Sequence, residues 1–517
     1  MIVSLEGIDC GPVQIINIGE YSLCWSRCRQ FENLHKFSND YYIGKMSFTE
    51  QASETLIIHE TTINKEDIPP LTNGTIIYLS EDLLIVEPLN ITNIFYSLNS
   101  VSDMQLLIAD AEGYLPSHEG VAVLSAIGYF PGNITLFNEI RKIPFLSSLD
   151  LTHNSEISQQ SVHYHEPDDL LMIDRLKQII PDHPQQFIGM TAGKDCRFVL
   201  GIVTSAGKTP SIIHIKTNEE HLVEELADSV NTPLIQVSTA TPTLNGRVYT
   251  LATDSQIYMY GCTLGVMSSS VNKDSVFHTG IFADLILKDT FKSAVKIPGL
   301  QRKIYDKCIH MLLSSVKNFD NILCTFNTYQ EIFTYIKKEL SFGNKIFQLR
   351  KRKEKANWFY YLHRGIRWGN AAVMDLSYFT NVVFLLSDIE AVTYGISSSM
   401  WDNFAYDRVL RLNSKLLPNV KTPYAVEVKF STNPLVKGFQ KIQFEYFHRL
   451  LVRNKMKKEF RSKSKKEYKP RGFSIREPRY FKNFYNKNFD ELMKTPCSYS
   501  LKRAAATIAY TLDYLEN

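Results

Sequence analysis

The chain has 517 residues, an apolar share of 44% and a formal net charge of +3, which excludes a disordered or collagen-like polymer. No run approaches the roughly 18 apolar residues that span a bilayer, and the start, Met1-Ile-Val-Ser-Leu-Glu, lacks the basic and apolar regions of a secretion signal. Eight scattered cysteines with no Cys-x-x-Cys pair point to reduced thiols rather than a disulfide or zinc framework, so the expectation is a cytoplasmic protein without a membrane partner.

This length accommodates several domains, and the elements predict a multidomain α/β protein of mixed α+β type. Residues 1–155 read as a β-rich domain, with short apolar runs such as Thr75–Leu79 and Leu83–Val86 between Pro, Gly and Asn turns. Residues 156–300 read as a mixed domain. There Leu170, Leu171, Ile173, Leu176 and Ile179 predict a helix over Asp168–Ile180, with Asp168 or Asp169 at its N-terminus. Strands are expected at Phe198–Val203, Ser211–Ile215 and Leu234–Ser238, with a helix over Glu219–Val230 capped by Asn218. Residues 301–460 read as helical, from stripes such as Ile304, Cys308, Met311, Leu312 and Val316, or Ile332, Tyr335, Ile336 and Leu340. Two strong strands, Val382–Leu386 and Tyr424–Phe430, are enclosed among those helices. Residues 461–517 form a basic tail ending in a helix at Leu501–Tyr514.

The second of those strands carries the most pointed chemistry. Side chains alternate along a strand, so Glu427 and Lys429 share one face. The first strand ends in Ser387-Asp388, and a helix between the two carries Asp402 and Asp407. Were Asp388 and Glu427 on adjacent strands, two carboxylates would hold Mg²⁺ or Mn²⁺ through oxygen ligands, with Asp407 as the substitute for Asp388. The ion would acidify a bound water that Lys429 orients. The strand Glu427-Val428-Lys429, followed by a helix with Gln440 and Gln443, resembles the PD-(D/E)XK nuclease superfamily in its replication-and-repair branch, over residues 380–455. The resemblance implies a small nuclease-like sheet that hydrolyses phosphodiesters, with Asp388, Glu427 and Lys429 catalytic and Gln440 or Gln443 on the nucleic acid. The family sets Pro-Asp a short way before the Glu, whereas Asp388 precedes Glu427 by 39 positions and Asp407 by 20.

Two other segments echo known sites. Gly201-Ile-Val-Thr-Ser-Ala-Gly207-Lys208-Thr209 resembles a phosphate-binding loop, which would make Gly207, Lys208 and Thr209 contacts of ATP. Its first Gly is one residue too distant and Pro210–Ile215 continues as a strand, so a hairpin turn is the competing reading. Alternate histidines His163 and His165, with His153 nearby, have the spacing of metal ligands but equally suit a polar loop before a helix.

Charge is unevenly placed. From Lys437 onward there are 20 Lys and Arg against 8 Asp and Glu, leaving 37 against 46 in the rest. Arg453, Lys457, Lys458, Arg461, Lys465, Lys466 and Arg471 alternate with Phe460, Tyr468, Phe473, Tyr480 and Phe481. Basic groups neutralise phosphates and rings stack on unpaired bases, so RNA or DNA is the expected partner. The Asn-, Ile-, Lys- and Tyr-rich wording resembles viral proteins, which implies a component of a replication or transcription machinery working with a viral polymerase or capsid shell protein, in the cytoplasm or a virion core. Three functions stay open: a metal-dependent nuclease-like hydrolase, an NTPase cofactor of the polymerase in a double-stranded RNA virus core, and a non-enzymatic structural core protein.

Overall fold

The computed structural model describes, with side chains, residues 93–150 and 168–237 almost throughout, then 275–287, 329–340, 357–367, 381–396, 407–421, 478–494 and 499–516 with a few residues between them; elsewhere up to residue 158 it describes the backbone of strands. Short strands open the chain: β1 (Ser4–Leu5), β2 (Ile8–Asp9), β3 (Gln14–Ile18), β4 (Tyr21–Trp25), β5 (Leu34–Phe37), β6 (Asp40–Ile43), β7 (Ile77–Leu79), β8 (Leu83–Val86), β9 (Phe95–Tyr96), β10 (Ser100–Ser102), β11 (Arg141–Lys142), β12 (Ser147–Asp150) and β13 (Ser155–Ser158). They make a small β1–β2 pair, a six-stranded antiparallel sheet of order β13-β12-β8-β7-β6-β5, and a five-stranded sheet of order β11-β9-β10-β4-β3. The β-rich reading of this part therefore describes these strands.

It misses two helices, Gln105–Glu112 and His118–Ile127. Ser117 accepts the Gly120 N–H at the start of the second, and Gly128 ends it in the left-handed region at φ 86°. The run Val121-Ala-Val-Leu-Ser-Ala-Ile127 looks strand-like because it is apolar all round. Every residue from Gly120 to Ile127 is buried, and a helix buried on all sides has no amphipathic period to reveal it.

A fourth sheet organises the middle. β14 (Gln186–Gly189), β15 (Ser211–Ile215), β16 (Leu234–Val237), β17 (Val276–His278) and β18 (Asn381–Val383) run in the order β16-β15-β14-β17-β18, all parallel. Helix Lys194–Ser205 connects β14 to β15, and helix Glu220–Ser229 connects β15 to β16. The Phe198–Val203 segment, expected as a strand, is the buried part of helix Lys194–Ser205. Helices Asp169–Gln178 and Asp407–Leu416 pack against that helix, and Ile389–Ile396 packs on Asp169–Gln178. Of the expected Val382–Leu386 strand, only Val382 and Val383 are paired, as part of β18; the chain turns into a 3₁₀ turn at Leu385–Ser387.

Two apolar cores result. One joins residues 95–140 to the helices Tyr329–Leu340, Phe489–Lys494 and Tyr499–Glu516. The other fills the parallel sheet and its helices, from Phe145 through Leu287 to Leu417. Among the described residues no helix is long and apolar enough to cross a membrane.

Candidate functional site

In the parallel sheet the chain leaves β14 toward β15 and β16 on one side, then returns to build β17 and β18 on the other. Such a reversal leaves a crevice beyond the carboxyl ends of the two central strands, because their following connections diverge. Here those strands are β14 and β17, in register Ile188 to His278. The connection after β14 is Met190-Thr191-Ala192-Gly193, running straight into helix Lys194–Ser205. The connection after β17 includes Gly280, where an added Cβ would stand 3.4 Å from the Cys196 backbone nitrogen and 3.5 Å from its Sγ. Those are ordinary contact distances, so the connection runs directly beside the first turn of the helix.

Polar contacts fix the first loop. The Ala192 N–H donates to Glu219 Oε2 at 3.1 Å, and the Gly193 N–H to Thr191 Oγ1 at 3.2 Å. Glu219 stands just past β15, at the N-cap of helix Glu220–Ser229, and makes no side-chain cap bond there. Its carboxylate reaches across to the loop instead. His214, near the end of β15 and 1% exposed, donates its Nδ1–H to the Met190 carbonyl at 2.9 Å; its Nε2 is buried without a hydrogen-bond partner among the described residues.

A second buried imidazole marks the other central strand. The Gln186 amide Nε2 donates to the carbonyls of Pro181 and His183 at 3.1 and 3.0 Å, so its Oε1 must accept from His278 Nε2 at 2.8 Å. That leaves His278 neutral with the proton on Nε2, and burial pushes its pKa down to about 3.

The residues singled out by sequence lie elsewhere. Asp388 stands not on a strand but at the start of helix Ile389–Ile396. Arg175 grips its carboxylate with Nε at 3.2 and 3.1 Å and a terminal nitrogen at 2.9 Å, while Oδ1 accepts the Ala391 N–H at 3.0 Å. Those oxygens serve an ion pair and a helix cap. Asp407, its substitute, begins helix Asp407–Leu416. Among the described residues no group of three or more His, Cys, Asp or Glu is arranged to hold a metal. Glu427, Lys429, Gln440, Gln443, Arg453, Lys457, Lys458, Arg461, Lys465, Lys466 and Arg471 lie outside the described residues, as do His153, His163 and His165.

Gly207, Lys208 and Thr209 form neither a phosphate-binding loop nor a hairpin turn. Gly207, at φ 77°, follows the C-terminus of helix Lys194–Ser205, its N–H donating to Thr204 O at 3.0 Å and that of Lys208 to Val203 O at 3.3 Å. This is a Schellman turn. It sits at the negative end of the helix dipole, the wrong pole for a phosphate, and the Lys208 ammonium pairs with Asp182. In the basic tail, Phe481 is fully buried in the first core, so it supports packing rather than base stacking.

Compared with models of protein families and with curated proteins, the chain has no match in either.

The signals for the crevice were in the sequence: a glycine-bounded loop, Gly189 to Gly193, between a short strand and a helix, and an acid after the next strand. Reading Phe198–Val203 as a strand hid the strand–helix–strand unit to which they belong.

Proposed function

We propose that this chain binds a nucleoside-bearing small ligand at the carboxyl edge of its parallel sheet and engages RNA or DNA through its cationic C-terminal segment. The observation that carries the first part is the reversal of strand order at β14 and β17, flanked by the Met190–Gly193 loop and Glu219. Folds alone do not assign functions, but this sheet places a tight loop, a helix N-terminus and a carboxylate in the arrangement that holds ribose and its substituents in dinucleotide-binding sheets. The second part rests on 20 basic against 8 acidic residues from Lys437 onward. Metal-dependent hydrolysis through Glu427, Lys429 and Asp388 would require Asp388 to exchange its Arg175 pair for the ion.

The test is a thermal-shift and calorimetric panel on the full chain, with ATP, GTP, NAD⁺, adenosine and S-adenosylmethionine. A ligand at 100-fold excess over its Kd should stabilise the fold by about 2.7 kcal/mol. Gly193→Val, whose Cβ would crowd Thr191 Oγ1 at 2.9 Å, should abolish that shift while the unliganded melting point moves little. No shift with any member, or one that Gly193→Val leaves intact, overturns the assignment. For the second part, affinity for a single-stranded RNA should fall as salt rises, with a log–log slope of about −0.7 per neutralised phosphate. Replacing Lys457, Lys458, Arg461, Lys465 and Lys466 by Gln should flatten that slope. An unaltered slope would remove the segment from the interface.

A further inference from the structure

Resting on the nucleic-acid part of the reading above, we infer that His310 and Tyr329 form a flat platform on which one unpaired base of a single-stranded nucleic acid stacks. A hydrogen bond joins His310 Nδ1 to the Tyr329 hydroxyl at 2.6 Å, and the two ring planes differ by 3°. Each bonded atom lies in its own ring plane, so the planes are offset by no more than that bond length. Rings stacked one on the other stand at van der Waals contact, about 3.5 Å apart. The imidazole and the phenol therefore sit side by side in one layer. Phe333 underlies them, its ring centre 4.3 Å from that of His310 at 20° and 6.4 Å from that of Tyr329 at 18°.

The support beneath this layer is fixed by packing. Tyr329 and Phe333 are four positions apart on helix Tyr329–Leu340 and so share a face. Phe333 is 6% exposed, and it lies in the first core with Ile332 and Ile336. His310 is positioned by its neighbours Ile309, Leu312 and Leu313, all buried in the same core, yet is itself exposed. One face of its ring rests on Phe333 and one edge meets Tyr329, which leaves the opposite face to solvent. Two flat rings with polar edges are the complement of a nucleobase rather than of an aliphatic side chain, and every base offers a π-face to such a surface. One turn beyond Phe333, the Lys337 ammonium stands 5.9 Å from the Phe333 ring centre and 2.9 Å from Asp306 Oδ1. That cation is already paired, so attraction for phosphate falls to the 20 basic against 8 acidic residues from Lys437 onward. The described part of that stretch sends Phe481 and Phe484 into the core that also holds Phe333, which ties the cationic stretch to the body that carries the platform.

Fluorescence titration of the full chain at pH 7.5, with single-stranded RNAs carrying 2-aminopurine at successive positions, tests the inference. At one position stacking should quench the fluorescence. His310→Ala should abolish that quench and weaken binding by about 5- to 150-fold, the range for loss of one stacked base. His310→Phe keeps a ring over Phe333 and should retain most of the quench and of the affinity. Unaltered melting points establish that both variants fold, as expected for an exposed position. An abasic residue at the quenched position should weaken the unsubstituted chain by a similar factor and His310→Ala no further. The salt slope should be the same in His310→Ala as in the unsubstituted chain, because no phosphate contact is lost. Salt-dependent binding without a quench, a quench that His310→Ala leaves intact, or an abasic strand bound as tightly as the complete one overturns the platform and leaves the cationic reading standing. If no RNA binds, both fall.

Discussion

Asp254 does at the level of one side chain what a local cap ordinarily does. Its carboxylate accepts the Gln105 N–H at 2.8 Å and the Leu106 N–H at 3.0 Å, capping helix Gln105–Glu112 from 149 positions away. The local N-cap residue, Met104, offers no side-chain acceptor, so two donors of the first turn depend on the distant carboxylate. The Gln105 amide returns the contact by donating to Asp254 O at 2.6 Å. To aim its carboxylate this way Asp254 adopts φ 54°, and the next residue, Ser255, φ 53°; aspartate tolerates that region better than most side chains. Asp254→Ala leaves two buried donors unsatisfied and is expected to cost about 2–4 kcal/mol, from a cap and a buried hydrogen bond together. Asp254→Asn, which keeps an acceptor and tolerates the same φ, should cost less than half of that. Urea denaturation of the three proteins decides; equal losses in the two variants would show that charge, not capping geometry, holds the helix. Asp169 makes a comparable long-range contact through charge. Burial alone would raise its carboxyl, but Arg408 at 2.7 Å and Arg411 at 2.8 Å outweigh burial and hold it below the ordinary carboxylate value.

Between elements, the helix that leaves the crevice is held by close approach rather than by large side chains. A Cβ on Gly201 of helix Lys194–Ser205 would stand 2.7 Å from the Leu416 Cβ and 3.3 Å from Leu417 Cγ, so that glycine sets the separation from helix Asp407–Leu416. Asn413 of the second helix donates to the Lys194 carbonyl at 3.0 Å, locking the slide of one helix along the other. Gly201→Val must push the helices apart and is expected to cost about 1–3 kcal/mol by overpacking. Leu416→Gly, which removes the Cβ at that contact, should recover part of the loss in the double variant; a strictly additive double variant, measured by chemical denaturation, would place the strain elsewhere. The same helix shows where sequence reading succeeds and fails. The helix Asp169–Gln178 was legible because Ile173 and Leu176 of its expected stripe are buried and Asp168 caps its start, accepting the Leu170 and Leu171 N–H groups at 2.7 and 3.0 Å, but Leu170 and Leu171 of that stripe are exposed and Met172 is buried instead. Helix Glu220–Ser229 and strands β15 and β16 were legible from their period; the N-cap of the helix is Glu219, and Asn218, expected there, lies outside the described residues. Helix Lys194–Ser205 was not, because its Arg197–Val203 run is buried throughout and carries no periodic contrast. With that one element misread, the glycine loop before it and Glu219 after β15 lost their context, and the crevice was invisible. Asp388 was visible as an acid near the end of a strand, but its partner Arg175 lies 213 positions away, a distance at which no local pattern speaks.

Across the whole molecule, acid sensitivity follows from two imidazoles buried in or beside the second core. Burial pushes His278 down to about 3; burial, joined by the charge of Arg367, does the same to His363 within the π-helical turn Tyr361–Ile366. His363 packs against Phe359 and Phe145 with ring centres 4.6 and 6.0 Å away, and Arg367 lies over the Phe145 ring at 4.1 Å. Each imidazole in the unfolded chain takes up a proton near its ordinary value of about 6.5, whereas the folded protein keeps it neutral until far lower pH. Below about pH 6.5 the unfolded state therefore binds more protons, and stability falls as pH falls. At pH 5 the loss amounts to about 2 kcal/mol for each histidine, from 1.36 kcal/mol per unit over the interval between 6.5 and 5. Asp169 works in a different window. Its lowered value preserves the contribution of its ion pairs until pH drops below the ordinary carboxylate range, so it adds nothing to the change between pH 7.5 and 5. Chemical denaturation at pH 7.5, 6.5 and 5 should thus show a progressive loss that His278→Gln and His363→Gln, each less stable at pH 7.5, reduce in turn. A stability profile flat from pH 7.5 to 5, or one equally steep in the double variant, would show that these two imidazoles do not govern it.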